Sequence, residues 1–322
     1  MSRSTLRLTL ECNNRCVFCG QEGLADAAAR SLEELEGALA SLRERSDAVT
    51  FTGGEPTLSP ALPRLLARAR ELGFREIGLQ TNCQDIHVPK DIDAYVAAGL
   101  TDVQLSLHGP RALIHDYHTD VEGSFATIVR VAGALGERGV RLVAATVVTR
   151  SNFRELAPMP ALLRRLGVRA WLLRVPRIAG RAARRLDSTT PRLGMAMPRV
   201  LHAVELARRV GLPAFLEGAP LCLTGPYASR VIVGDGARAF APSCDGCEAR
   251  ARCPGFDPRY LARFHGDEAA PWSVRDRVYI HVSPREESLR GLFTGIGELA
   301  IESTEVPSSE AKRSPSLTVL SG

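Results

Sequence analysis

The sequence predicts an α/β fold: an open or partial barrel of six βα units, followed by a small cysteine-rich extension. Three observations predict it. Short apolar stretches alternate with helical patterns over the first 215 residues, glycines close the helical stretches, and the 322-residue composition is that of a globular chain, 45% hydrophobic and 24% charged. Six strand–helix repeats in about 200 residues imply a parallel sheet with right-handed crossovers. Six units are too few for a closed eight-stranded barrel, and no dinucleotide glycine fingerprint follows the first strand.

Candidate strands are residues 5–10, 48–51, 76–80, 102–107, 141–148 and 170–174, each short, rich in large or branched apolar residues and bounded by polar residues or glycine. Helical patterns lie between them at 32–45, 61–72, 91–98, 124–138 and 156–166. Ser31 precedes the first helix and Glu33 and Glu34 open it, where the helix dipole favours anions. Pro56 and Pro60 punctuate the entry to the second, and Gly73, Gly99, Gly139 and Gly167 follow four helices as terminators. From about Pro220 the period is lost. Residues 231–233 and 237–241 read as a hairpin around Gly234-Asp235-Gly236. From Glu302 the chain is rich in Ser, Thr, Pro and charge, and disorder is expected. The expected divisions are 1–215 for the partial barrel, 216–300 for the extension and 301–322 for the tail.

Net charge is +5, carried almost wholly by arginine, with Lys90 and Lys312 the only lysines. The excess is mild and scattered, which argues against a nucleic-acid partner. No apolar run approaches the ~18 residues of a membrane span, so no membrane partner is expected. The opening MSRSTLRLTLEC lacks the apolar core of a signal peptide, and the expected compartment is the cytoplasm.

In a reducing compartment eight cysteines argue for metal or redox chemistry rather than disulfides. Seven fall into two sets, and Cys83 stands alone as an expected buried small residue. The first set, Cys12-x3-Cys16-x2-Cys19, directly follows a strand. Three thiolates within eight residues can wrap one inorganic centre; a structural zinc site wants four ligands, whereas a [4Fe–4S] cluster held by three leaves one iron open. Other unusual segments also fall at C-terminal strand ends, where parallel α/β sheets place their sites: Gly53-Gly54-Glu55-Pro56, Thr81-Asn82 and Ser106 to His108.

Cys12, Cys16 and Cys19, with Phe18 at the aromatic position, resemble the signature of the radical S-adenosylmethionine (radical SAM) enzymes, and Gly53-Gly54-Glu55-Pro56 resembles that family's GGEP motif. The resemblance covers roughly residues 5–180 and implies a partial TIM-like (βα)6 barrel. It implies that the open iron chelates the amino and carboxylate groups of S-adenosylmethionine. An electron then cleaves the sulfonium bond, and the resulting 5′-deoxyadenosyl radical abstracts a hydrogen atom from substrate. Gly53 and Gly54 permit close backbone approach, and Glu55 offers a carboxylate to the methionine ammonium. By the same resemblance Phe18, Pro56, Thr81, Asn82, Ser106 and Asn152 join the cofactor-binding set. Catalytic residues stay unassigned, with His108, Tyr117 and Arg174 as candidates and His115 as a further substrate-facing one. Arg174, Arg177, Arg181, Arg184 and Arg185 form a run in which only Arg174, at a strand end, is expected to point to the pocket.

The second set, Cys222 with Cys244-x2-Cys247-x5-Cys253, provides four thiols, enough for one zinc ion or one cluster. Its order of hairpin, cysteines, Pro254-Gly255 and Tyr260, with the Gly180-Arg181-Ala182 loop upstream, resembles the auxiliary-cluster extensions called SPASM or twitch domains. The full SPASM pattern has seven cysteines where this extension has four, so the expectation is one auxiliary [4Fe–4S] cluster, with zinc the alternative. The implied activity is hydrogen abstraction from a peptide (RiPP-type) or protein side chain, or from a small natural-product or metabolite precursor. The expected partners are a reductant such as flavodoxin or ferredoxin and a separate peptide-recognition protein. The alternative from another class is a non-catalytic iron–sulfur or zinc scaffold or sensor, in which the Gly53–Pro56 motif would have no purpose.

Overall fold

The computed structural model describes residues 3–21, 30–234, 236–272, 279–293 and 296–299. The sheet begins with β1 (Arg3–Thr9), β2 (Ala48–Gly53), β3 (Glu76–Thr81) and β4 (Asp102–Ser106), and continues through β5 (Arg141–Val147), β6 (Trp171–Arg174), β7 (Ala214–Glu217), β8 (Val231–Gly234) and β9 (Ile296–Leu299). Its order is sequential; β1 to β8 are parallel and β9 is antiparallel to β8. The eight parallel strands form a curled half-barrel. The helices of the first half are α1 (Leu32–Arg43), α2 (Leu62–Glu71), α3 (Lys90–Ala98), α4 (Ala112–Thr119) and α5 (Ser124–Glu137). Those of the second are α6 (Met159–Arg165), α7 (Gly180–Arg184), α8 (Leu186–Thr189), α9 (Leu193–Arg209), α10 (Pro258–Phe264) and α11 (Pro284–Arg290).

All six expected strands form. Ser31 caps α1 as expected, accepting from the Glu34 N–H while Glu34 accepts from the Ser31 N–H in a reciprocal capping box. The hairpin expectation is corrected. Residues 231–234 pair parallel with β7 through Leu216 and Glu217, while Ala239 bridges Phe256 in an isolated antiparallel contact. Burial explains the difference: Val231 and Ile232 are both fully buried, one on each face, which a half-exposed hairpin could not achieve. Asp235 and residues 301–322, including the expected tail, lie outside the described residues.

Each sheet face has its own core. Leu142, Ala144, Trp171, Leu173 and Leu216 pack against the helices, whereas Val143, Ala145, Leu172, Phe215 and Ile232 face the concave side. That side is filled by Val282, Leu292 and Phe293, which flank α11. Arg230 anchors this plug through Glu286 at 2.9 Å, and Arg3 donates to the Gly291 carbonyl at 2.8 Å. Arg3 also reaches Glu76, Asp102 and Thr50 near the N-terminal strand ends. It passes over Gly78, where an added Cβ would lie 2.4 Å from the guanidinium, so glycine makes room for the charge. The opposite, C-terminal ends are left to the cysteine loop.

Candidate functional site

Cys12 to Cys19 leave the end of β1 as a loop pinned on two sides. From α4, the carbonyls of Thr119 and His118 accept from the N–H groups of Arg15 and Val17 at 2.9 and 3.0 Å, and Arg15 pairs with Asp120 at 2.9 Å. From α7, the Arg181 N–H donates to the Cys19 carbonyl at 2.9 Å, and the Arg181 guanidinium donates to the carbonyls of Arg15 and Cys16. Phe18 lies edge-on to the His108 ring with centroids 4.6 Å apart.

The three thiols share one electrostatic environment. Burial raises Cys12, with the charges of Glu55 and Cys19 adding to it. Cys16 is pushed up to about 12, first by burial and then by Cys12 and Cys19. Thiols that oppose one another's ionisation are a donor set for a cationic centre, whose charge reverses that preference. Among the described residues no three His, Cys, Asp or Glu side chains close around a single ion.

Gly53 ends β2, and Gly54 and Glu55 donate backbone N–H groups to the carbonyls of Thr9 and Glu11 at 2.9 and 2.7 Å. An added Cβ on Gly54 would fall 2.1 Å from the Glu11 carbonyl oxygen, so this approach of the two strand ends demands glycine. Pro56 opens a short 3₁₀ turn. The Glu55 carboxylate, 1% exposed, is turned inward. Its Oε1 accepts from Thr57 N, Thr57 Oγ1 and Thr81 Oγ1, and its Oε2 from Asn82 N, at 2.6 to 3.2 Å. Burial raises its pKa, and the four donors oppose that rise. Thr81 and Asn82 are thus tied to Glu55, and the Asn82 amide reaches onward to Asn13 Oδ1 at 2.8 Å and Cys12 Sγ at 3.8 Å.

The remaining expected residues divide. Ser106 ends β4 beside Ala145, half-buried. Asn152, fully buried, accepts from Thr149 N and donates to the carbonyls of His108 and Val147, which staples the ends of β4 and β5. His108 is buried beneath Phe18, and its Nδ1 accepts from Val147 N at 3.3 Å. His115 Nδ1 accepts from His108 N at 3.1 Å, and its ring stacks on His108 with centroids 5.8 Å apart. Burial depresses both imidazoles, His108 far below the usual range and His115 to about 4. Tyr117 stands 54% exposed on α4, its ring edge-on to His118 with centroids 5.3 Å apart. Arg174 pairs with Glu217 across the ends of β6 and β7. Asn14 and His118, not singled out beforehand, belong to the site as well. His118 shares the face of α4 with His115, a spacing legible in the sequence; Asn14 gives no signal beyond its place between two cysteines.

The second set gathers around one cavity. Cys222, Cys244, Cys247 and Cys253 line one pocket with Leu221, Phe240, Phe256 and Trp272. The N–H groups of Leu221 and Gly255 donate to Cys253 Sγ at 3.4 and 3.3 Å, as ligand sulfurs commonly receive. The Ala239–Phe256 bridge closes the segment that carries the last three cysteines. Cys83, by contrast, is fully buried at the end of β3.

A parallel half-barrel with a three-cysteine loop at the C-terminal end of its first strand, braced against a glycine–glutamate turn on its second, defines a class of protein. Residues 6–159 match the Radical SAM superfamily. The family implies S-adenosylmethionine and a [4Fe–4S] cluster. The AdoMet-dependent heme synthase of Nitratidesulfovibrio vulgaris is 29% identical over 181 residues, which span 55% of this chain and 48% of that protein. The PqqA peptide cyclase of Ruegeria pomeroyi is 30% identical over 216 residues, 65% of this chain and 56% of that one. Both relatives are enzymes, and the chain spans about half the length of each. The fold also matches SuiB of Streptococcus suis, solved with its precursor peptide SuiA, with a TM-score of 0.56 at 16% identity over 68% of this chain and 49% of SuiB. No helix of the described residues is long and apolar enough to cross a membrane.

Proposed function

We propose that the protein is a radical SAM enzyme acting on a peptide or protein side chain, with a second [4Fe–4S] cluster in its C-terminal part. The observation that carries the reading is the Cys12–Cys19 loop clamped between α4 and α7 and linked through Asn82 to Glu55. Cys12, Cys16 and Cys19 hold the catalytic cluster. When bound, the cluster and S-adenosylmethionine together supply a 5′-deoxyadenosyl radical for hydrogen abstraction. Glu55, Thr81 and Asn82 keep the strand ends in register and, with Gly53, Gly54, Pro56 and Ser106, would hold the cofactor, and Phe18 and His108 would exclude water from the loop. Asn152 fixes the neighbouring ends of β4 and β5.

The four thiols around one cavity, with backbone donors on Cys253, support the auxiliary cluster. Cys222 provides its fourth ligand. A peptide substrate is favoured by likeness to the PqqA peptide cyclase and to SuiB, whose partner is a precursor peptide. A small-molecule substrate is the second reading, favoured by the 29% identity to a heme synthase. The electron comes from a flavodoxin- or ferredoxin-type donor in either case.

Anaerobic reconstitution tests the cluster content. Two cubane clusters predict about eight iron per chain, and replacing Cys12, Cys16 and Cys19 with Ala leaves about four. Zinc in place of the second four irons would overturn the auxiliary assignment and spare the first. Transfer of deuterium from a labelled precursor peptide into 5′-deoxyadenosine would distinguish the peptide reading from the small-molecule one.

A further inference from the structure

An amide side chain approaches the thiols of the first loop. Asn82 is locked at the end of β3, its N–H on Glu55 Oε2 at 2.7 Å and its Oδ1 accepting from Gln84 N at 2.8 Å. That orientation turns the amide nitrogen to the cysteine loop, where it donates to Asn13 Oδ1 and to Cys12 Sγ. Cys12, one of the three proposed ligand sulfurs, therefore carries a neutral amide donor.

We propose that Asn82 raises the reduction potential of the catalytic cluster by donating to the Cys12 ligand sulfur, an inference that rests on this loop holding the cluster. Charge added to an iron–sulfur cluster spreads onto its sulfurs, so a donor there stabilises the reduced state more than the oxidised one and raises the potential. Both hydrogens of the Asn82 amide are directed at the loop, which makes Asn82 a positioning residue for the cluster rather than a direct contact of S-adenosylmethionine. Its rigid link to Glu55 also ties the sulfur environment to the turn beneath the cofactor.

The test is a redox titration of the reconstituted full-length protein, followed through the EPR signal that changes when S-adenosylmethionine is added. Asn82→Leu keeps the side chain's approximate size and removes the donor without adding a charge. It should load wild-type iron and titrate at a more negative midpoint, with a several-fold smaller reduced signal at a fixed potential near the wild-type midpoint. A fully loaded variant with the wild-type midpoint would overturn the proposal. So would a variant that loses iron while its residual cluster keeps that midpoint, since the amide would then only shape the loop. Wild-type protein that takes up no iron would instead sink the cluster reading itself.

Discussion

Glu55 joins the ends of β2 and β3: its Oε1 accepts from Thr57 and Thr81 and its Oε2 accepts a single hydrogen bond from Asn82. The histidines are a second residue-scale device. His108, His115 and His118 are all held neutral by burial, beside Phe18 of the cysteine loop. For His115 the folded pKa of about 4 lies below the unfolded value, so the unfolded chain binds its proton first as pH falls. Its stabilisation is complete above about pH 6.5 and declines toward pH 4. Urea unfolding should show wild type losing about 2 kcal/mol more than His115→Gln between pH 7 and pH 5. Equal losses would mean that His115 is protonated without penalty in the folded protein.

At the scale of elements, local signals were legible and long-range ones were not. The cysteine run, the Gly53–Pro56 turn and the alternating strands and helices announce themselves within a few residues, so the partial barrel and the candidate residues at its C-terminal strand ends could be read directly. β8 was misread because its parallel partner is the four-residue β7, too short to declare itself. Arg181 contacts the Cys16 carbonyl across 165 residues of chain, a separation that sequence spacing does not encode. The concave plug was equally hidden, since α11 reads as a short charged helix and its apolar flanks find the sheet only in the folded chain. Phe293 is 1% exposed and packs edge-on against Phe215 with centroids 6.2 Å apart. Phe293→Ala should cost about 3–5 kcal/mol in chemical denaturation. A loss below about 1 kcal/mol would mean that the plug does not seat in the half-barrel.

The whole molecule separates stability from chemistry along the barrel axis. Near the N-terminal strand ends, Arg3 and Arg141 meet Glu76 and Asp102 in a largely buried ionic network beside the plug. At the C-terminal ends stand the cysteine loop, the Gly53–Pro56 turn and the histidine group, the arrangement expected of parallel barrels whose sites are built from loops after the strands. The central claim is that this end cleaves S-adenosylmethionine reductively. Anaerobically reconstituted protein given dithionite and S-adenosylmethionine should release 5′-deoxyadenosine even without substrate, and the Cys12, Cys16 and Cys19 triple Ala variant should release none. Protein with its full iron complement that never yields 5′-deoxyadenosine would contradict the account and favour a non-catalytic scaffold.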